Sequence, residues 1–250
     1  MSSALSSSLD GGALPFDFPV ELLRSMPLFR DLSRSQLEEV AAVVRRKTLP
    51  AGGVLVQENE PGNTIFLILE GSVRIRTTRG DEDVILGFRG RGEMIGELSI
   101  LDGGARSASV ETQTPCVFAC VSRHEFWEFL WPLAPVPYNV ARILAARVRL
   151  LSEQVQAMAT LSVSQRLARQ ILLLCSEHGT AAPNEPGVVI PFGISQQELA
   201  QMVGATRVQV NRTLQFWKRQ NIVLITRRSL SVKDPARLKS YIGTAAQAPE

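Results

Sequence analysis

From Tyr138 to Thr160 the chain runs 23 residues without a proline or glycine, and its apolar positions Ala141, Leu144, Val148, Leu151, Val155 and Met158 alternate three and four apart. Two apolar positions per heptad make a narrow stripe, which suits the seam of a two-stranded coiled coil better than the broader face a helix turns to a core. The stripe predicts a long helix whose partner is the same helix of a second copy, hence a homodimer. It also divides the chain, because the apolar pattern differs on its two sides. The expected organisation is a loose N-terminus at 1–20, a β-rich domain at 21–137, the dimerisation helix with its hinge at 138–161, and a further domain at 162–250.

Before the long helix, Pro19 to Arg46 reads as short helices, with Ser33 to Gln36 a capping-box start. Five apolar runs then follow at 54–56, 65–69, 73–75, 84–86 and 117–121, separated by turns that carry glycine. Many short strands at even spacing predict a small antiparallel roll or barrel of jelly-roll type. Its interior is the natural ligand pocket.

Within that region lies Gly96-Glu97-Leu98, followed after a Gly103-Gly104 turn by Arg106-Ser107-Ala108. A guanidinium presents a planar fork that matches two phosphate oxygens. A carboxylate accepts hydrogen bonds from sugar hydroxyls, and glycines let backbone N–H groups come close to an anion. The pair suits a ligand with both a phosphate and hydroxyls.

Beyond the hinge at Thr160, Leu161 and Ser162, capping boxes open three helices, at Ser162-Val163-Ser164-Gln165, Ser195-Gln196-Gln197-Glu198 and Thr206-Arg207-Val208-Gln209. The last two helices are joined by a turn at Gly204-Ala205, which is a helix-turn-helix pattern. On the second of them Val210, Thr213, Leu214 and Trp217 share an inward face, while Arg207, Val208, Asn211 and Arg212 share the outward one. Guanidiniums and amides near a helix start read base edges in the major groove. Ser195, Gln197, Thr206 and Gln209 are further candidate contacts, and Arg227 and Arg228 sit at the tip of a hairpin placed to touch phosphate. Charge supports this division: residues 1–164 carry 16 Lys and Arg against 19 Asp and Glu, and residues 165–250 carry 11 against 5. A basic second part meets a polyanion.

Taken in order, these parts resemble the cyclic-AMP receptor protein and fumarate–nitrate regulator family over roughly residues 25–240. The resemblance implies an α+β chain with an N-terminal cyclic-nucleotide-binding β-roll, a long dimerisation helix and a C-terminal winged helix-turn-helix. It implies a homodimeric transcription regulator that binds pseudo-palindromic double-stranded DNA, takes cAMP as allosteric effector and contacts RNA polymerase. Gly96, Glu97, Leu98, Arg106, Ser107 and Ala108 match the family's pocket cassette. Where the family has a Thr-Ser pair that contacts adenine, the Ser from the opposite subunit, this chain has Leu151-Ser152. The family's Arg-Glu-x-x-x-Arg on the recognition helix becomes Arg207-Val208-x-x-x-Arg212, so a contact to a cytosine amine is exchanged for an apolar one. That run is closer to the nitrogen-control branch, whose effector is 2-oxoglutarate, whereas the Glu97/Arg106 cassette favours a cyclic nucleotide. A regulator that answers to another effector or to none, and a nucleotide-binding protein that does not bind DNA, are the alternatives. The iron–sulfur branch is disfavoured, since no cysteine precedes Cys116.

No metal-ligand cluster or nucleophile–base pair points to an enzyme. Cys116, Cys120 and Cys175 lie among apolar residues and read as buried thiols, and His124 and His178 as ordinary surface or turn residues. The stretch 178–187 reads as an exposed, irregular loop. No run is long and apolar enough to span a membrane and the first twelve residues lack a leader pattern, which predicts a cytoplasmic protein.

Overall fold

The fold is taken from a computed structural model, which describes residues 18–80, 82–182, 186–226 and 229–243. The N-terminal helices are α1 (Val20–Arg24), a 3-10 turn (Pro27–Phe29) and α2 (Arg34–Val43). The last starts at Ser33, whose Oγ accepts from Gln36 N–H while Gln36 Oε1 accepts from Ser33 N–H. They cover one face of a roll built from β1 (Arg45–Leu49), β2 (Val54–Val56), β3 (Thr64–Glu70), β4 (Val73–Arg79), β5 (Glu82–Arg89), β6 (Met94–Ile95), β7 (Ser109–Thr112) and β8 (Cys116–Ser122). The strands form two antiparallel sheets in the orders β1-β8-β3-β6 and β2-β7-β4-β5.

Strand β3, Thr-Ile-Phe-Leu-Ile-Leu-Glu, is apolar from Ile65 to Leu69 because that part is covered on both sides. Ile65, Leu67 and Leu69 pack on the N-terminal helices, and Phe66 and Ile68 turn into the roll with Val73, Val110 and Phe118. Between β6 and β7 the chain forms the short helix α3 (Glu97–Asp102), so the Gly96–Ala108 stretch is a helix flanked by turns.

After β8 come α4 (Arg123–Glu125), a π-helical turn (Phe126–Leu130) and α5 (Pro135–Thr160). Helix α5 begins three residues before the expected Tyr138, and Pro135 and Pro137 fall in its first turn, where a missing N–H leaves no helical bond unmade. Val136 and Val140 bury against the roll, whereas Val148, Leu151, Val155 and Met158 are exposed. The chain leaves helical geometry at Leu161 and Ser162, both extended, and re-enters it as α6 (Val163–His178).

The C-terminal part adds β9 (Thr180–Ala181), β10 (Val188–Ile190), α7 (Gln196–Val203), α8 (Arg207–Arg219), β11 (Val223–Ile225), β12 (Leu230–Val232) and α9 (Pro235–Gly243), with the strands ordered β11-β12-β10-β9. Two sequence readings are refined here. Within 178–187, Thr180–Ala181 form β9, with Ala181 opposite Val188 of β10, and residues 183–185 lie outside the described residues. His178 is buried, packed edge-on between Phe88 and Phe192, because it closes the apolar face of α6. His124 is exposed. Leu167, Ile171, Leu199, Val210, Leu214, Trp217 and Leu230 form the core of this part, and Ile85 and Phe88 of the roll are built into the same cluster. Among the described residues no helix is long and apolar enough to cross a membrane, and no group of His, Cys, Asp and Glu is placed to hold a metal.

Candidate effector pocket and nucleic-acid interface

Gly96 sits at φ +82°, a left-handed conformation, and a Cβ there would collide with Arg106 Nη1 and the Thr64 carbonyl. Glycine is therefore required both for the turn and for the close approach of the guanidinium. Immediately after it, α3 starts at Glu97, which is 4% exposed. Arg106 lies opposite at 6% exposure, its backbone N–H donating to Glu60 O (2.8 Å) and its carbonyl accepting from Asn59 N–H (2.9 Å). Its Nη1 donates to Gly96 O (3.0 Å) and its Nη2 to Thr64 O (2.7 Å), with the guanidinium 5.8 Å from the Phe66 ring. Burial pulls its pKa below the ordinary arginine value, against the raising effect of Glu97 and Glu60.

These groups open onto a cavity of about 720 Å³ between the roll and α5. Gly96, Glu97, Leu98, Arg106, Ser107, Ala108 and Leu151 all line it. Ser152 does not: it is exposed, and its Oγ donates to Val148 O (2.9 Å) in its own helix. Arg147, Gln201 and Met202 are among the lining groups that the sequence does not single out. Arg147 Nη1 donates to Glu97 Oε1 and its Nη2 to Met94 O, which neutralises the pocket carboxylate from α5. Arg147 precedes Leu151 by one helical turn, a spacing that signals a shared face. Gln201 and Met202 of α7 complete the wall, and no local pattern announces that a residue of the far domain will reach the roll.

In the helix-turn-helix, Gly204 at φ +60° ends α7, and Thr206 starts α8 with its Oγ1 accepting from Gln209 N–H. The Gln209 amide is engaged in this cap, accepting from Thr206 N–H (3.0 Å), and the Ser195 hydroxyl accepts from Glu198 N–H (3.1 Å) in the same way. Val210, Thr213, Leu214 and Trp217 are buried, while Arg207, Val208 and Arg212 are exposed and Asn211 is half-buried. Gln197 is exposed at the first turn of α7. The outward face thus carries two guanidiniums and an amide around a bare Val208, 72% exposed. Arg227 and Arg228 lie outside the described residues; Thr226 and Ser229 beside them pair through Thr226 N–H to Ser229 O (2.9 Å).

Comparison with known proteins agrees with both halves of this arrangement. Residues 46–130 match the cyclic nucleotide-binding domain family and residues 165–241 the Crp-like helix-turn-helix domain family. The cAMP-activated global transcriptional regulator CRP of Haemophilus influenzae is 31% identical over 177 residues, 70% of this chain and 77% of that protein. The CRP-like cAMP-activated global transcriptional regulator of Mycobacterium tuberculosis is 28% identical over 221 residues, 87% of this chain and 97% of its own. Among solved structures, FixK2 of Bradyrhizobium japonicum aligns with a TM-score of 0.68 at 17% identity, over 82% of this chain and all of that one. The fold and the relatives are those of regulators rather than enzymes. With a nucleotide-binding roll and a Crp-like helix-turn-helix in one polypeptide, the chain belongs to the cyclic-AMP receptor protein and fumarate–nitrate regulator family of DNA-binding transcription regulators.

Proposed function

We propose that the chain acts as a cytoplasmic homodimer whose binding to pseudo-palindromic DNA is controlled by a cyclic nucleotide, with cAMP the first candidate. The observation that carries this reading is the meeting of Glu97 and Arg106 in one cavity against α5, whose exposed stripe reaches the edge of that cavity at Val148 and Leu151 and continues beyond it at Val155. Arg106 offers a fork to the cyclic phosphate and Glu97 an acceptor to the ribose hydroxyl. The fork lies against the Gly96 and Thr64 carbonyls and the acceptor against Arg147, so the ligand exchanges with groups of the chain itself.

Pairing of two stripes would bring two α5 helices together at the mouths of two cavities, where Ser152, exposed and absent from the lining of its own cavity, would face the partner. Ligand-dependent adjustment at Thr160, Leu161 and Ser162 then sets the two recognition helices about 34 Å apart, one turn of DNA. Arg207, Asn211 and Arg212 read base edges, Val208 an apolar feature such as a thymine methyl, and Ser195, Gln197, Thr206, Gln209, Arg227 and Arg228 serve as backbone contacts. RNA polymerase is the further partner that the family resemblance implies.

Leu151 lines the cavity and would offer a base packing without a hydrogen bond. A dicarboxylate such as 2-oxoglutarate is the second reading, favoured by the nearness of Arg106 and Arg147 and opposed by Glu97. Calorimetric titration of the purified chain with cAMP, cGMP and 2-oxoglutarate tests the assignment. Saturable cAMP binding that disappears in Arg106→Leu supports it; binding of 2-oxoglutarate alone contradicts it.

A further inference from the structure

The helix-turn-helix unit is fastened to its own roll through one face of α7. Arg74 of β4 donates from Nη1 to Glu198 Oε1 (2.6 Å) and from Nη2 to Glu111 Oε2 (2.9 Å). Ile85 of β5 donates its N–H to Gln201 Oε1 (3.1 Å), and Gln154 of α5 donates from Nε2 to Met202 O (3.2 Å). Positions 198, 201 and 202 are one helical face. Strand β5 is the outer strand of its sheet, and an outer strand presents backbone groups that seek partners. Here the partner is a side chain of the DNA-binding unit. Apolar packing follows the same route: Ile85 and Phe88 leave the roll interior and join the core of the far domain, with the Phe88 and Phe192 rings 5.1 Å apart.

Glu198 has two duties. Its Oε2 accepts from Ser195 N–H (2.7 Å) in the capping box of α7, and its Oε1 holds Arg74. The first turn of a helix-turn-helix is where phosphates of bound DNA are met, and in this conformation that turn lies against the roll carboxylate Glu111 through Arg74. In the same conformation Arg147 occupies Glu97, and Gln201 and Met202 stand in the cavity wall. Whatever fills the cavity therefore touches the fastened helix directly.

We propose that β5 and Arg74 form an autoinhibitory latch, which holds the helix-turn-helix unit on its own roll until effector in the cavity displaces α7. For its trigger the latch rests on the effector reading above; for its existence it does not. The inhibition belongs to each chain separately, so it acts before and apart from any rearrangement between two long helices.

Arg74→Gln and Glu198→Gln test it without any effector, since glutamine at 198 keeps an acceptor for the cap while the ion pair is lost. Two readouts apply to the full-length chain: hydrogen exchange of the β5 segment around Ile85, and affinity for an operator selected from random duplex DNA. The latch predicts faster exchange at β5 in both variants and effector-free DNA binding tighter by about fivefold or more, with cAMP-loaded affinity at the wild-type value. Exchange as slow as in wild type overturns the latch, and faster exchange with unchanged or weaker effector-free DNA affinity overturns its inhibitory role. In wild type, cAMP is expected to speed exchange at the same segment. Calorimetric cAMP binding with β5 unchanged overturns the trigger, whereas failure of cAMP to bind contradicts the cAMP assignment and leaves the variants to decide the latch.

Discussion

Arg147 and Glu97, 50 residues apart in sequence, form an ion pair that joins the long helix to the pocket, with the Glu97 side chain 5% exposed. A carboxylate that deep in the protein is stable only while it is paired. Removing Arg147 leaves the charge behind. Arg147→Leu is expected to destabilise the ligand-free chain by roughly 3 kcal/mol, and the double variant Arg147→Leu/Glu97→Gln by clearly less. Urea unfolding of wild type, Arg147→Leu and the double variant measures the difference. Equal losses in single and double variants would show that the pair contributes packing rather than charge compensation.

The exposed stripe on α5 gives a second expectation. Val155 is 68% exposed and Leu151 60% in the single chain, an unusual position for large apolar groups unless something covers them. Val155→Glu is expected to shift the chain from dimer to monomer in sedimentation equilibrium and leave its helical circular dichroism unchanged. A variant as dimeric as the parent would move the interface elsewhere.

Arg212→Ala is expected to cost about 1–3 kcal/mol of DNA affinity and to relax preference at one base pair. Binding-site selection with the variant distinguishes this from the other outcome. A loss that is uniform across sequences, with a shallower salt dependence, would make Arg212 a phosphate contact.

His178 gives the chain a pH-dependent term. Burial first, and Arg89 second, pull its imidazole down to about 4. Between about pH 4 and 6.5 the unfolded chain holds a proton there that the folded chain excludes, so this term lowers stability as pH falls through that window and is constant outside it. Glu93 and Glu177 nearby act with opposite sign, because burial pushes their carboxyls up. Comparison with His178→Gln isolates the imidazole. The stability of wild type relative to the variant should fall by up to about 3 kcal/mol from pH 7 to pH 4; a difference independent of pH contradicts the assignment.

The sequence carried the periodic and local features well. The roll was legible in short apolar runs between glycine turns, and the helix starts at Ser33, Ser162, Ser195 and Thr206 in their capping boxes. These signals are local, written in neighbouring residues. That Glu97 and Arg106 come to line one cavity was legible because the cassette is contiguous. Arg147 was less so, since its role comes from the packing of α5 on β6 and α3. His178 was misread as a surface residue because its burial depends on Phe88, ninety positions earlier in the chain. Contact between β5 and α7 has no sequence signature at all: Ile85 and Gln201 meet only after two domains have folded and docked.

Operator binding by wild type and Arg106→Leu, each measured with and without saturating cAMP, tests the central claim most directly. The guanidinium is held by two backbone carbonyls and opens onto the cavity, so it is the group through which a cyclic phosphate would act on the rest of the chain. The expected result is that cAMP tightens wild-type DNA binding by about 5–150-fold and leaves the variant at its ligand-free affinity. Wild-type DNA affinity that is identical with and without bound cAMP would contradict it.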